Sequence, residues 1–98
     1  MIHILYIGCH PEISETVLRL IRGRQDWSGV AAATDSEALR LFTENDFDLV
    51  LLGCGLSDES ESELTKQFNR RKPEVPVVAH YGGGSGLLAN EILSALGQ

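Results

Sequence analysis

The stretch Asp48-Leu49-Val50-Leu51-Leu52-Gly53 decides the fold. Four aliphatic residues in a row, ended by a glycine, are typical of a strand buried on both faces, as in a parallel sheet. The stretch Ile2-His3-Ile4-Leu5-Tyr6-Ile7-Gly8 has the same form, with only His3 interrupting the apolar residues. Shorter apolar runs over 30–33 and 77–80 predict two more strands, with Trp27 in the turn before the first of them.

Segments with helical periodicity separate the predicted strands. Pro11 stands where a helix can begin. Apolar residues follow it at helical spacing up to a glycine: Ile13, Val17, Leu20 and Ile21. Capping boxes at 34–37 and 60–63 predict the starts of two more helices, with residues 55–59 as a loop before the second. A final helix is marked by Leu88, Ile92 and Leu96.

The alternation of four strands with four helices predicts the α/β class. Each crossover has about the length of a βαβ unit, which indicates a parallel four-stranded sheet between two layers of helices. The 98 residues predict one domain over 1–98. A composition of 43% hydrophobic and 22% charged residues excludes the collagen-like and disordered classes.

Charge and cysteine content limit the partners and the compartment. Eight Lys and Arg residues stand against 14 Asp and Glu residues, a net charge of −6. Because nucleic-acid affinity depends on neutralising phosphates, we expect no direct contact with nucleic acid. No apolar run approaches the ~18 residues of a membrane span, and the N-terminus does not have the form of a secretory signal. We expect no membrane contact and a cytoplasmic location in which Cys9 and Cys54 stay reduced.

Several local strings, in this order and spacing, resemble the receiver domain of two-component response regulators. They are Ile4-Leu5-Tyr6-Ile7, His10-Pro11-Glu12-Ile13, Ala33-Thr34-Asp35-Ser36-Glu37-Ala38-Leu39, Phe47-Asp48-Leu49-Val50-Leu51-Leu52 and Val75-Pro76-Val77-Val78. The resemblance covers essentially the whole chain. It implies a CheY-like, flavodoxin-like sheet of order 2-1-3-4 without the fifth strand and fifth helix, and a role in signal transduction.

The resemblance also implies which residues stand at the positions of the family's phosphorelay chemistry. Gly53 stands at the phosphoacceptor position, and Gly8 and Cys9 stand at the acidic pair that holds Mg²⁺. The switch position falls on Tyr81, or on Ala79 if a short deletion is allowed. Phosphoryl transfer needs carboxylate oxygens around the metal. We therefore expect a pseudo-receiver, a non-catalytic interaction module with no cofactor that is not phosphorylated at the family site.

A metal- or redox-sensing domain is the alternative from another functional class. Four candidate ligands fall at the carboxyl edge of the predicted sheet: Cys9, His10, Cys54 and His80. They are suitable in type for Zn²⁺, but their spacing matches no compact zinc motif, and free cysteines commonly pack as small apolar residues. Packing is favoured. A weaker resemblance of Leu51-Leu52-Gly53 to sigma-54 activator regulators suggests the N-terminal regulatory domain of a larger transcription regulator.

The expected lack of a fifth strand and helix has a consequence for association. Right-handed crossovers place the first helix on one face of the sheet and the next two on the other. One face over the third and fourth strands would then be bare, and the fourth strand would be an open edge. Either the final helix or a second copy could cover this surface. We expect a protein partner or self-association, with a homodimer formed through the fourth strand or last helix at Val78, Leu88 and Leu93.

Overall fold

The computed structural model describes residues 2–8, 10–53 and 57–79. Strands and helices alternate along these residues: β1 (Ile2–Ile7), α1 (Pro11–Arg22), β2 (Trp27–Ala32), α2 (Asp35–Glu44), β3 (Leu49–Leu52), α3 (Asp58–Arg71) and β4 (Val77–Ala79). None of these three helices has the length and apolar composition needed to cross a bilayer. Several predictions concern residues outside the described ranges, namely the final helix, Cys9, Cys54, His80, Tyr81, Leu88 and Leu93.

The four strands form one parallel sheet in the predicted order β2-β1-β3-β4. β1 lies in the centre, where Ile4 is paired with Gly29 on one side and with Leu49 on the other. Asp48 locks the entry to β3, because its carboxylate accepts a hydrogen bond from the His3 amide at 2.8 Å and its own amide donates to the His3 carbonyl at 2.7 Å. The predicted α/β architecture is confirmed for the described residues.

Two apolar clusters fill the two sides of the sheet. On the side of α2 and α3, β-strand residues pack with Ala38, Phe42, Leu64 and Phe68. The rings of Phe42 and Phe68 join these two helices, with centroids 4.5 Å apart. On the side of α1, the cluster contains Ile4, Tyr6, Val17, Ile21, Trp27, Leu49 and Leu51. Both faces of β1 and β3 are therefore buried, as the continuous apolar runs predict.

The α1-side face of the sheet over the third strand is buried. Leu49 and Leu51 belong to the α1-side cluster and have no exposed surface. The prediction that the final helix or a second copy covers this face stays a prediction, because the final helix lies outside the described residues. In β4, Val77 and Val78 are half-buried and pack against opposite clusters.

The second strand begins earlier than predicted. It starts at Trp27, which is paired with Ile2 and is 5% exposed, so this residue does not lie in a turn. The Arg24 guanidinium stacks over the indole at 4.5 Å from the ring centroid. Burial in β2 alternates from Trp27 to Gly29, and Val30 is exposed. This alternation fits a strand at the edge of the sheet. The first half of β2 contains no apolar run, because serine and glycine, which are weak strand formers, occupy two of its positions.

The third helix also begins earlier than its predicted capping box. Ser57 is the N-cap, and its hydroxyl accepts a hydrogen bond from the Ser60 amide at 3.1 Å. Asp58 and Glu59 therefore lie in the first helical turn and not in a loop. The box at 34–37 is confirmed, because Thr34 Oγ1 accepts from the Glu37 amide at 3.1 Å. Here the Glu37 carboxylate accepts from the Ala33 amide, one residue before the N-cap.

The inward face of α1 differs from the predicted apolar stripe. Ser14, Val17 and Ile21 are its buried residues. Ile13 and Leu20 are 41% and 36% exposed, so the stripe that they would extend is only half-buried. The helix is rotated so that Ser14 enters the core in place of an aliphatic residue.

Candidate functional site

The carboxyl ends of β1 and β3 form the centre of the candidate site. These strands are parallel neighbours, and their last paired residues are Ile7 and Leu52. Gly8 and Gly53 follow immediately, and both are buried. The Gly53 amide donates to the Ile7 carbonyl at 2.7 Å, and the Gly8 amide donates to the Ala32 carbonyl at 3.1 Å. Backbone hydrogen bonds thus hold the two glycines at the edge where open α/β sheets bind ligands.

The Tyr6 side chain fills the space beside Gly53. A Cβ atom on Gly53 would overlap the Tyr6 hydroxyl oxygen and the ring carbon that bears it, and would lie 2.8 Å from Cε2. Tyr6 is 1% exposed. Any side chain at position 53 therefore requires the tyrosine to move. The volume that an acceptor side chain would enter is occupied by a packed aromatic ring.

The same ring closes the position at Gly8. A Cβ atom on Gly8 would lie 2.8 Å from Tyr6 Cε1, 3.1 Å from the Tyr6 hydroxyl oxygen and 3.2 Å from Ser14 Oγ. Real Cβ atoms essentially never come closer than 3.0 Å to another heavy atom. One large side chain thus sits between two residues that have none, and the three positions fit together as a packed unit.

The donor atoms of the described residues at this edge do not fit Mg²⁺. The ion requires oxygen ligands in a near-octahedral arrangement, supplied mainly by carboxylates. Gly8 and Gly53 offer no side-chain oxygen, and the described residues contain no group of three or more His, Cys, Asp or Glu side chains that could hold a metal. His10 is the exposed N-cap of α1 and makes no side-chain capping hydrogen bond. Ala79, one of the two possible switch residues, ends β4.

The charges around this edge have one sign. Each of the three described helices begins at the carboxyl edge of the sheet, and the charged residues of their first turns are all acidic: Glu12 in α1, Asp35 and Glu37 in α2, and Asp58, Glu59 and Glu61 in α3. None of the eight Lys and Arg residues lies in a first turn. Helix dipoles favour this placement of carboxylates. The resulting negative surface favours cationic partners and disfavours small anionic phosphodonors.

Reasoning from the sequence places the two glycines at the ends of the first and third strands, where the structure has them, but it misses Tyr6 and Ser14. A tyrosine within an aliphatic strand predicts only a core residue. A signal does exist in the sequence: a large side chain in β1, Tyr6, lies near two glycines, Gly8 and Gly53. It can be used only when the register of β1 and β3 is known, because that register brings Gly53 close to Tyr6. Nothing in the sequence marks Ser14 apart from other polar residues of a helix.

Comparisons with known proteins identify the fold. No protein-family model matches the sequence, and no curated protein matches it either. Among solved structures, a response regulator receiver domain from Clostridium thermocellum is 25% identical, with a TM-score of 0.74 over 96% of this chain and 74% of that chain. The response regulator TrrA from Thermotoga maritima, solved in complex with Mg²⁺ and BeF, is 17% identical, with a TM-score of 0.81 over 98% and 99% of the two chains.

A third similar structure is described as a pilus assembly protein rather than as a response regulator. A putative pilus assembly protein from Burkholderia thailandensis is 13% identical, with a TM-score of 0.76 over the whole of both chains. The chain thus has the fold of response-regulator receiver domains of the CheY-like type. Its four described strands and three helices match that fold without its last strand and helix. The receiver fold supports a role as a signalling module.

Proposed function

We propose that this chain is a pseudo-receiver, a non-catalytic signalling and protein-interaction module that is not phosphorylated at the family's acceptor position. The observation that carries the proposal is the Tyr6 ring, which fills the space between Gly8 and Gly53. We place the function in the cytoplasm, where the two cysteines would remain reduced.

The proposal is supported by what phosphoryl transfer requires. The reaction needs a nucleophile in line with the leaving group and a metal ion that neutralises the developing charge. Gly53 provides no nucleophile, and the described residues at this edge provide no carboxylate set for the metal. Tyr6 is no substitute for the nucleophile, because its 1% exposure keeps its hydroxyl away from a phosphodonor in solution.

Intact-mass spectrometry after incubation with acetyl phosphate and Mg²⁺ tests the proposal. We expect no change in mass, while a receiver domain that retains its acceptor aspartate gains one phosphoryl group under the same conditions. A phosphoryl group on any aspartate of this chain would refute the proposal. Stoichiometric zinc in protein purified without added metal would instead favour the metal-sensing alternative, whose residues other than His10 lie outside the described ranges.

A module without chemistry acts through contacts, and we propose that one of them is self-association at β4. This strand has three residues and is paired only with β3 among the described strands. A terminal strand presents unpaired backbone groups to another chain. Val78 is half-buried there, and we place Leu88 and Leu93 of the predicted last helix at the same interface.

Light scattering over a range of concentrations tests the self-association. We expect the wild-type chain to form a dimer that Val78→Lys weakens. Val30→Lys is the matched control, because Val30 is a 38% exposed valine on β2 at the other edge of the sheet. A strictly monomeric wild-type chain at high concentration, or equal weakening by both variants, would contradict the β4 interface.

A further inference from the structure

A cavity of about 290 Å³ opens between α1 and the carboxyl end of β2. Its walls are made of small residues, Gly8 from the end of β1 and the alanines of 31–33, together with Pro11 and Leu18 of α1. The three alanines carry only methyl side chains. We call it the α1–β2 cavity.

Ser14 gives this cavity an unsatisfied polar group. The residue lines the cavity and is 8% exposed, and its hydroxyl has no hydrogen-bond partner. Buried hydroxyls nearly always have a partner, and an unpaired one is unfavourable. The start of α1 adds backbone donors, because its N-cap His10 makes no side-chain capping hydrogen bond. The hydroxyl is therefore an unused hydrogen-bond donor, and because its oxygen is covered in the free chain, a ligand that brings a carbonyl oxygen has to displace the atoms over it.

Two carboxylates line the same cavity. Glu15 makes only a long, exposed ion pair with Arg19 at 3.7 Å, and such pairs contribute little. Glu37 accepts a hydrogen bond from the Ala33 amide, yet its charge stays at the cavity wall. Glu12 and Asp35 lie in the adjacent first turns. An apolar cavity among carboxylates is complementary to an apolar group flanked by cations.

The size of the cavity selects the kind of occupant. Small-molecule pockets usually measure about 300–1,000 Å³ and enclose most of their ligand. The α1–β2 cavity lies at the lower limit and is open to solvent, which suits a single side chain better than a free metabolite. We propose that it docks one aliphatic side chain of a basic segment of a partner protein, with a backbone carbonyl of that segment accepting from Ser14. This inference rests on the proposed function as an interaction module and names the class of partner.

An NMR titration with a defined peptide tests the docking. The probe is the acetylated, amidated pentapeptide Lys-Arg-Leu-Lys-Arg, and its matched control replaces leucine by serine. We expect the leucine peptide to shift the amide signals of Ser14 and of 31–33, and to bind several-fold more tightly than the serine peptide. Equal binding of both peptides, or shifts confined to other surfaces, would overturn the proposal.

Three variants assign the effect to the cavity. Ser14→Ala should weaken binding of the leucine peptide about fivefold, because one hydrogen bond is lost. It should not lower the free energy of unfolding, because the hydroxyl is unpaired in the free chain. Ala33→Leu should fill the cavity and abolish the preference for leucine. Glu37→Gln should weaken binding while keeping an oxygen for the Ala33 amide, whereas Glu44→Gln at the opposite end of α2 should not.

These outcomes separate two failures. A chain that stays unphosphorylated but shows no preference for leucine refutes the docking proposal alone. A chain that acetyl phosphate labels refutes the proposed function, whatever the peptide does. A lower free energy of unfolding for Ser14→Ala would show that the hydroxyl is paired in the free chain, which would also overturn the docking proposal.

Discussion

The Tyr6 hydroxyl occupies the place that a Cβ atom on Gly53 would take. Tyr6 lies in β1, and Gly53 directly follows the neighbouring parallel strand β3 at the carboxyl edge of the sheet. An aspartate in place of Gly53 would therefore have to displace a buried ring. The Tyr6 ring and the two glycines form part of the core at the ends of both strands.

Gly53→Ala should destabilise the fold by about 1–3 kcal/mol, the usual cost of overpacking a core. Gly23→Ala is the matched control, because Gly23 is exposed and has helical dihedral angles (φ −67°, ψ −15°) that alanine adopts readily. Urea denaturation of both variants measures the difference. Equal effects of the two substitutions would show that the Tyr6 ring yields easily.

A double-mutant cycle tests whether Tyr6 causes that cost. In a Tyr6→Leu background the ring is absent, so Gly53→Ala should lose most of its effect on the free energy of unfolding. A Tyr6→Phe background should relieve little, because the ring carbon beneath the hydroxyl also overlaps the Cβ position. An unchanged cost in the leucine background would assign the overpacking to another neighbour.

The sequence predicts the central strands well and the edge strand poorly. The apolar run of β1 matches the observed Ile2–Ile7 in both bounds, and the run of β3 matches within one residue. These strands are buried on both faces, so nearly every residue in them is apolar and marks the strand in the sequence. β2 is buried at only three of its six residues and contains Ser28 and Gly29, so the apolar run marks only its second half.

The candidate site shows a different limit. The resemblance to receivers predicts that Gly8 and Gly53 stand where the family has functional side chains, but it does not predict what fills the space beside them. That depends on the rotamer of Tyr6 and on the pairing of two strands distant in sequence. The α1–β2 cavity is equally invisible, because it results from the rotation of α1 that brings Ser14 inward. Tertiary packing decides both features.

The start of α3 can be tested through its cap. Ser57→Ala should destabilise the fold by about 1 kcal/mol, because the Ser60 amide loses its acceptor. Ser60→Ala is the control and should change the free energy of unfolding by less than about 0.5 kcal/mol. Thermal or urea unfolding followed by circular dichroism compares them. The reverse order of effects would support the capping box at 60–63 instead.

Trp27 makes a single fluorescent probe of the α1 side. It is the only tryptophan in the chain, and at 5% exposure it should emit at shorter wavelength in the native state than after unfolding.

Arg24→Gln should lower the free energy of unfolding by about 0.5–1 kcal/mol, because the cation–π contact with Trp27 is lost. Arg40→Gln, at an exposed position on α2, is the control. Equal costs for both variants would mean that the stacking contributes nothing measurable.

The pair formed by Lys72 and Asp46 should make stability depend on pH at the acid end. Lys72 Nζ lies 2.6 Å from Asp46 Oδ1. This hydrogen bond, and then the charge of Lys72, lower the pKa of Asp46 below its ordinary value of 3.8. The folded state then binds the proton less readily than the unfolded chain, so protonation favours unfolding. The stabilisation is complete above pH 3.8 and is lost as the pH falls through the lowered pKa.

Asp46→Asn should remove that part of the pH dependence. The difference in the free energy of unfolding between wild type and Asp46→Asn should be present well above pH 3.8 and vanish well below it. Because Asp46 is fully exposed, the difference should be small and should shrink further in concentrated salt. NMR titration of the Asp46 carboxyl carbon gives the pKa directly, and Lys72→Met should return it towards its ordinary value. A wild-type pKa at or above 3.8, or one that Lys72→Met leaves unchanged, would show that the pair does not form in solution.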